Sequence, residues 1–307
     1  MKKVFAISGG AGRVICALPA LEKYQRLNGN NFYILAESGL DFFLGNKKLQ
    51  NLAYDPSTKG LFENIIKPND LITPEPYREH GYYNQIRSLT ESFDFLINNT
   101  TDHSDLTKPK IYLSKAEELN ALDALNRAVA EFKKKKTIVI QPFGRSSTAL
   151  ADNSIVLDTS SRSLNKETYL KICQSLAKDY NLIYFGEHML PEDTNTFKIQ
   201  TNLRQWAAII EVADYFIGCD SVGQHLAYAF EKPGTVILGS TVEKNITYSN
   251  HFQIFRKPNT EIVYSPIRIH TVDGEMADRF NDTCMDFTEK ETKDLIDLIR
   301  QDIRKKI

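Results

Sequence analysis

Residues 215 to 241 constrain this chain more than any other stretch, because they read as a complete strand-helix-strand crossover. Tyr215 to Ile217 is a short apolar strand, Asp220 opens a polar turn, and a helix runs from about Ser221 to Phe230. Pro233-Gly234 breaks the helix, and Thr235 to Leu238 is a second apolar strand. Parallel strands joined this way form a right-handed unit, which puts the polar turn at the carboxyl edge of a sheet. There Asp220 or Ser221 caps the helix, and Gly223 lets a ligand approach the backbone closely. The first-turn N–H groups and the helix dipole then suit a phosphate or diphosphate. His225, one turn after Ser221, shares its face and comes within reach of that anion. The same spacing also fits a capped helix with a polar core histidine and no ligand.

The run Asp220-Ser221-Val222-Gly223-Gln224-His225-Leu226-Ala227, followed by Lys232-Pro233 and Gly239-Ser240-Thr241, resembles the donor-site signature of the bacterial heptosyltransferase-like glycosyltransferases. That signature reads Asp-Ser-Gly, two variable residues, His-Leu-Ala, Lys-Pro, an apolar strand and Gly-Pro-Thr. Val222 separates Ser221 from Gly223 and shortens the gap to His225 by one, and Ser240 stands where the family has proline. The resemblance implies an α/β chain of the GT-B kind, with two Rossmann-like domains whose parallel sheets face a cleft. It also implies that this segment, Thr241 included, holds the diphosphate of a nucleotide-activated sugar.

With 307 residues the chain has room for two domains of about 150 residues each. The division expected is 1–136 for an acceptor-side domain, 137–287 for the donor domain, and 288–307 for a terminal helix able to pack back on the first domain. Apolar content of 42% and charged content of 25% are those of a globular protein. A net charge of −1 favours neither nucleic acid nor an anionic membrane, so a modified nucleic acid is an alternative acceptor that charge does not recommend. Four scattered cysteines form no CxxC pair, which points to reduced thiols, no zinc site and a cytoplasmic setting. No apolar run spans a bilayer, and Met1-Lys2-Lys3 leads into a strand without a signal-type apolar region.

In the N-terminal half, Val4 to Ser8 is a strand, and a helix from about Val14 to Leu27 follows Gly9-Gly10-Ala11-Gly12. Gly10 and Gly12, with Glu37 after the strand Phe32 to Ala36, imitate a dinucleotide fingerprint, but Ile15 occupies the third glycine position. The segment through Leu18-Pro19-Ala20-Leu21 resembles the N-terminal motif of the same glycosyltransferases, where the glycine turn lets acceptor and donor approach. The family's aspartate, the general base, is replaced by Arg13. Arginine stays protonated and cannot act as a base, but it can bind a phosphate or a carboxylate. Glu63 to Lys67 and Phe93 to Asn98 read as strands, joined by a stretch in which Tyr82, among other aromatics and arginines, suits a sugar acceptor or packs a surface loop. Asp102, backed by His103 past the expected strand end, is the first candidate for a replacement base, ahead of Glu37 and Asp41. Ile111 to Leu113 reads as a short strand, and Glu117 to Phe132 as an amphipathic helix before a lysine run.

In the C-terminal half, the strand Thr137 to Ile140 leads to a loop whose Arg145 and Ser146 resemble the family's diphosphate contact. Arg162, ahead of the helix Lys166 to Asp179, takes a place where the family carries a cation that neutralises the departing nucleoside diphosphate. Glu187, after the strand Leu182 to Phe185, stands where the family meets the nucleoside. Trp206 in the helix Arg204 to Val212 is expected in the core, and Phe252 to Arg256 and Glu261 to Tyr264 read as short strands. The expected activity is transfer of a sugar from a nucleoside-diphosphate sugar to a hydroxyl acceptor, with no cofactor and no required metal. A nucleotide-sugar-binding protein without catalysis is the alternative that Arg13 raises.

Overall fold

The structure is a computed structural model that describes residues 1–144, 147–149, 156–158, 161–188, 190, 192–257, 270–271, 274–275 and 283–307. Its chain divides into two compact units, Met1–Ser114 with Pro266–Ala277, and Lys115–Ser265 with Asp278–Ile307.

The first unit is built on strands β1 (Lys3–Ile7), β2 (Phe32–Ala36), β3 (Ala53–Tyr54) and β4 (Asp70–Ile72), parallel throughout and ordered β3-β2-β1-β4. Helix α1 (Ala11–Asn28) follows β1 directly, with Gly10 extended at its N-cap and Gly29 at φ 63° ending it. It starts before the expected Val14 and carries Pro19 internally, with residues 14 to 24 buried. Phe5, Tyr24 and Phe32 meet edge to face beneath it.

Two expected strands of this unit are helical. Glu63 to Lys67 falls on a π-helical turn, Phe62–Ile66. After the short α2 (His80–Tyr83), Phe93 to Asn98 belongs to α3 (Leu89–Asn98). Leu89, Phe93 and Ile97 recur every four residues on one buried face. Ser88 and Glu91 close a capping box at its start, and Asn99 at φ 52° ends it. The helical period and the cap outweigh the apolar run that suggests a strand. Ile111 to Leu113 is in no regular element.

The second unit opens with α4 (Lys115–Phe132), which Arg204 ties to a later helix by donating to both carboxylate oxygens of Glu117, at 2.6 and 2.7 Å. The chain continues through β5 (Thr137–Gln141), the antiparallel pair β6 (Ser147–Ala149) and β7 (Val156–Asp158), α5 (Lys166–Leu176), β8 (Asn181–Tyr184) and β9 (Phe197–Lys198). Then come α6 (Leu203–Val212), which carries Arg204, and β10 (Tyr215–Cys219), α7 (Val222–Ala229), β11 (Gly234–Leu238), α8 (Glu243–Ile246) and β12 (Gln253–Arg256). After a small antiparallel pair that belongs to the first unit, β13 (His270–Thr271) with β14 (Gly274–Glu275), the second unit ends in α9 (Glu289–Lys306). The main sheet is parallel, ordered β12-β11-β10-β5-β8-β9.

Strands β5, β10 and β11 are buried along their whole length, so Ile138, Ile140, Ile217 and Ile237 form a continuous core with Tyr169, Ile172 and Leu176 of α5. Trp206 lies in the core, stacked on Phe185 at 4.3 Å. Helix α9 supplies Leu295, Ile299 and Ile303 to this core, and the Tyr215 hydroxyl donates to Asp302 at 2.6 Å. The terminal helix, expected as able to cross back on the N-terminal domain, thus packs within the second unit. The expected strand Glu261 to Tyr264 lies outside the described residues.

Candidate functional site

In the second unit, register brings three strand ends together. Ile217 of β10 stands against Ile140 of β5 and Thr235 of β11, so Gln141, Asp220-Ser221 and Gly239-Thr241 leave the sheet at one carboxyl edge. Helix α7 starts there with Ser221 extended at the N-cap position and no side-chain cap of its own. Gln141 takes that part: the Gly223 N–H donates to its Oε1 at 2.8 Å, and its Nε2 donates to Ser221 Oγ at 3.3 Å. The first turn is therefore pinned to the central strands.

Gly223 has a packing reason as well. A Cβ there would meet the Phe216 ring at 2.8 Å, so only glycine lets α7 lie this close to β10. The space expected for a ligand beside Gly223 is filled by Phe216 and Gln141. Asp220 is 3% exposed and accepts from Gln224 Nε2 at 2.8 Å, which leaves the buried Gln224 Oε1 without a hydrogen-bond partner among the described residues.

His225 is buried, with Nδ1 at 2.9 Å from the Tyr248 hydroxyl. Desolvation pushes its pKa down to about 4 against a smaller opposing pull from Asp220, so the ring is neutral near pH 7. It therefore reaches the site as a hydrogen-bonding group rather than as a cation. Thr241 is buried at the same edge, its Oγ1 without a hydrogen-bond partner among the described residues. Its carbonyl accepts from Arg256 Nη2 at 2.5 Å, while Arg256 Nη1 donates to the Gly239 carbonyl at 3.3 Å. Arg256 thus fixes the turn after β11.

Arg162 belongs to a loop sewn to the same strand ends. Ser163 Oγ donates to Asp158 Oδ2 at 2.5 Å and accepts from the Gly144 N–H at 2.8 Å, and the Ser161 carbonyl accepts from the Ser240 N–H at 3.1 Å. The thiol of Cys219, pushed up first by burial and then by Asp220, is pulled the other way by the Arg162 charge. Glu187 is exposed in the bend after β8, where its neighbour His188 has Nε2 at 2.7 Å from Ser147 Oγ. Arg145 and Ser146 lie outside the described residues.

The first unit has its own carboxyl edge. Gly9, at φ 87°, donates its N–H to Glu37 Oε2 at 2.9 Å, and Gly10 and Gly12 begin α1. Arg13 is already matched: both its terminal nitrogens donate to Glu75 Oε2 at 3.2 Å, and Nη2 also to the Pro74 carbonyl at 3.4 Å. Its guanidinium lies 5.1 Å from the Tyr77 ring centroid and 5.8 Å from that of Phe93. An acceptor anion would have to displace Glu75 to reach it.

Asp102 does not share this edge. It follows the C-terminus of α3 rather than a strand, and its carboxylate turns on Ser104, accepting from the hydroxyl at 2.6 Å and the N–H at 3.0 Å. Those two bonds hold its pKa down, and the side chain is spent on its own loop. Its carbonyl accepts from Lys23 Nζ, on a residue about 15 Å along α1 from Arg13 at 1.5 Å per residue. His103 Nδ1 is 2.7 Å from Asp94 Oδ2, so His103 backs Asp94 instead. Tyr82 is 3% exposed and its ring meets Tyr77 edge to face, so in this structure it packs the loop.

Sequence reasoning missed Glu75, Gln141, Tyr248 and Arg256. Glu75 had one usable signal, a Thr73-Pro74-Glu75-Pro76 turn directly after a strand. The other three act from neighbouring strand ends or loops that only the sheet order brings to the site.

No protein-family model matches the chain, and no curated protein matches its sequence. Solved structures do match its fold. The ADP-heptose LPS heptosyltransferase II of E. coli aligns over 99% of both chains with a TM-score of 0.61 at 13% identity. The iron-containing dodecameric glycosyltransferase TibC of enterotoxigenic E. coli aligns over 99% of this chain and 78% of its own, with a TM-score of 0.60 at 12% identity. A family 9 glycosyltransferase of Veillonella parvula aligns over 83% and 85%, with a TM-score of 0.58 at 12% identity. The fold is the GT-B fold of the heptosyltransferase-like glycosyltransferases. At these identities the likeness is one of architecture.

Proposed function

We propose that the chain is a glycosyltransferase that moves a sugar from a nucleoside-diphosphate sugar to a hydroxyl acceptor of saccharide or lipopolysaccharide type. The observation that carries this reading is the carboxyl edge of β5, β10 and β11. There the first turn of α7, the buried hydroxyl of Thr241 and the Arg162 charge lie on strand ends of a fold that aligns end to end with a heptosyltransferase. Helix-terminal N–H groups and a guanidinium can together balance a diphosphate, so the transfer is assigned no required metal. TibC is described as iron-containing, so the rate with and without a chelator tests that part directly.

TibC was solved with ADP-D-β-D-heptose and the E. coli heptosyltransferase WaaC with ADP, which makes ADP-sugars the first donors to try. Donor binding is assigned to the second unit, with Glu187, Arg145 and Ser146 as further donor-binding residues, and the acceptor to the first, around Gly10 and Gly12. A cytoplasmic site of action fits a nucleotide-sugar substrate, and among the described residues no helix is long and apolar enough to cross a membrane.

Calorimetric titration with ADP-, UDP-, GDP- and CDP-sugars is expected to give saturable binding of one nucleotide class in the micromolar to millimolar range. Absence of binding by all four would end the donor-site assignment. The engaged state of Arg13 favours a second reading, a protein that binds the donor without transferring it. Binding without turnover in the presence of saccharide acceptors would select that reading.

A further inference from the structure

We propose that Glu75 is the general base of the transfer and Arg13 its positioning residue, so that the carboxylate which α1 lacks is supplied from the end of β4. This rests on the transferase reading above. β4 and β1 are parallel neighbours with Ile72 against Phe5, so the segment after Ile72 and the Gly9-Gly10 turn leave the sheet at the same edge. Glu75 follows Ile72 closely, and its Oε2 accepts from both Nη1 and Nη2 of Arg13 at 3.2 Å. The partners are unequally covered: the Arg13 side chain is 11% exposed and that of Glu75 26%. The carboxylate is the more exposed partner of the pair. Tyr77 and Phe93 fix the plane of the guanidinium, and its Nε is buried without a hydrogen-bond partner among the described residues. Its hydrogen bonding is thus directed through the two terminal nitrogens that hold Glu75. Glu75 Oε1 accepts a longer bond, 3.3 Å, from the Tyr77 N–H and keeps lone-pair capacity.

The chemistry balances without a further reagent. The acceptor hydroxyl gives its proton to the Glu75 carboxylate as its oxygen forms a bond to C1 of the sugar. The bond from C1 to the β-phosphate oxygen breaks, and its electron pair leaves with the nucleoside diphosphate. A carboxylate paired with arginine is a weak base, but a glycosyl transition state of oxocarbenium type demands little of one, since the hydroxyl becomes acidic only as the new bond forms. Asp102 is held by Lys23, about 15 Å along α1 from Arg13 at 1.5 Å per residue, and Glu37 Oε2 is engaged by the Gly9 N–H.

The test uses the full chain with ADP-D-β-D-heptose, or the sugar nucleotide that binds more tightly in the titration above, and water and methyl glycosides as acceptors. Glu75→Gln is expected to keep the donor Kd within threefold and to lower nucleoside-diphosphate release by about 100-fold or more. Formate is expected to restore at least tenfold of the activity of Glu75→Ala, because a small carboxylate replaces a base but not a structural contact. Arg13→Met is expected to lower turnover with the donor Kd kept. Turnover by Glu75→Gln within threefold of wild type overturns the assignment, as does loss in Glu37→Gln alone, or loss at Glu75 that formate does not rescue. A wild-type chain that binds donor and turns nothing over overturns the base together with the transferase reading. One that turns over independently of Glu75 overturns the base alone.

Discussion

Burial of His225 strips away the water that would hydrate an imidazolium, and the opposing charge of Asp220 does not make up the loss. The consequence for stability has a definite sign. With the pKa lowered from 6.5 in the open chain to about 4 in the fold, the unfolded state takes up the proton first as pH falls. The stabilisation is fully present above pH 6.5 and is lost between 6.5 and 4, by roughly 3 kcal/mol at 1.36 kcal/mol per unit. Urea titrations at pH 7 and pH 4.5 should show this loss in the wild type and a shallower one in His225→Gln. Equal slopes in the two proteins would contradict the burial argument. At this scale the sequence showed that residues 220 and 221 form a strand-end turn into a helix whose first turns carry residues 223 and 225. It did not show that Gly223 answers to Phe216, since that depends on how closely α7 settles on β10.

At the scale of elements, α3 shows which local signals decide. Phe93 to Ile97 is apolar enough for a strand, yet Ser88 and Glu91 cap it as a helix, with the Glu91 N–H donating to Ser88 Oγ at 3.3 Å and the Ser88 N–H to Glu91 at 2.7 Å. Ser88→Ala removes one side of that box and is expected to cost about 1 kcal/mol, read as a lowered urea midpoint with an unchanged slope. An unchanged midpoint would mean that tertiary packing alone holds the helix. The capping box was present in the sequence, and the strand expectation passed over it. β4 is the converse case: Asp70 and Leu71 are exposed, so no apolar alternation marks the strand, and Glu75 at its end stayed hidden with it. The parallel units β1–α1–β2 and β10–α7–β11 were legible because both read as apolar strands joined by a helix of crossover length.

At the scale of the whole molecule, each unit presents the carboxyl edge of its own parallel sheet, where open α/β sheets bind ligands. Under the proposed function the nucleotide sugar is assigned to the second unit and the glycine turn of the first to acceptor chemistry, although Gly10, Gly12 and Glu37 imitate a dinucleotide site in sequence. In the structure the Gly9 N–H is already engaged by Glu37. Hydrogen exchange with and without saturating ADP-D-β-D-heptose separates the two assignments. The account predicts slowed exchange at residues 220–225 and 239–241, with residues 9–13 unchanged in the absence of acceptor; protection confined to residues 9–13 and 37 would contradict it.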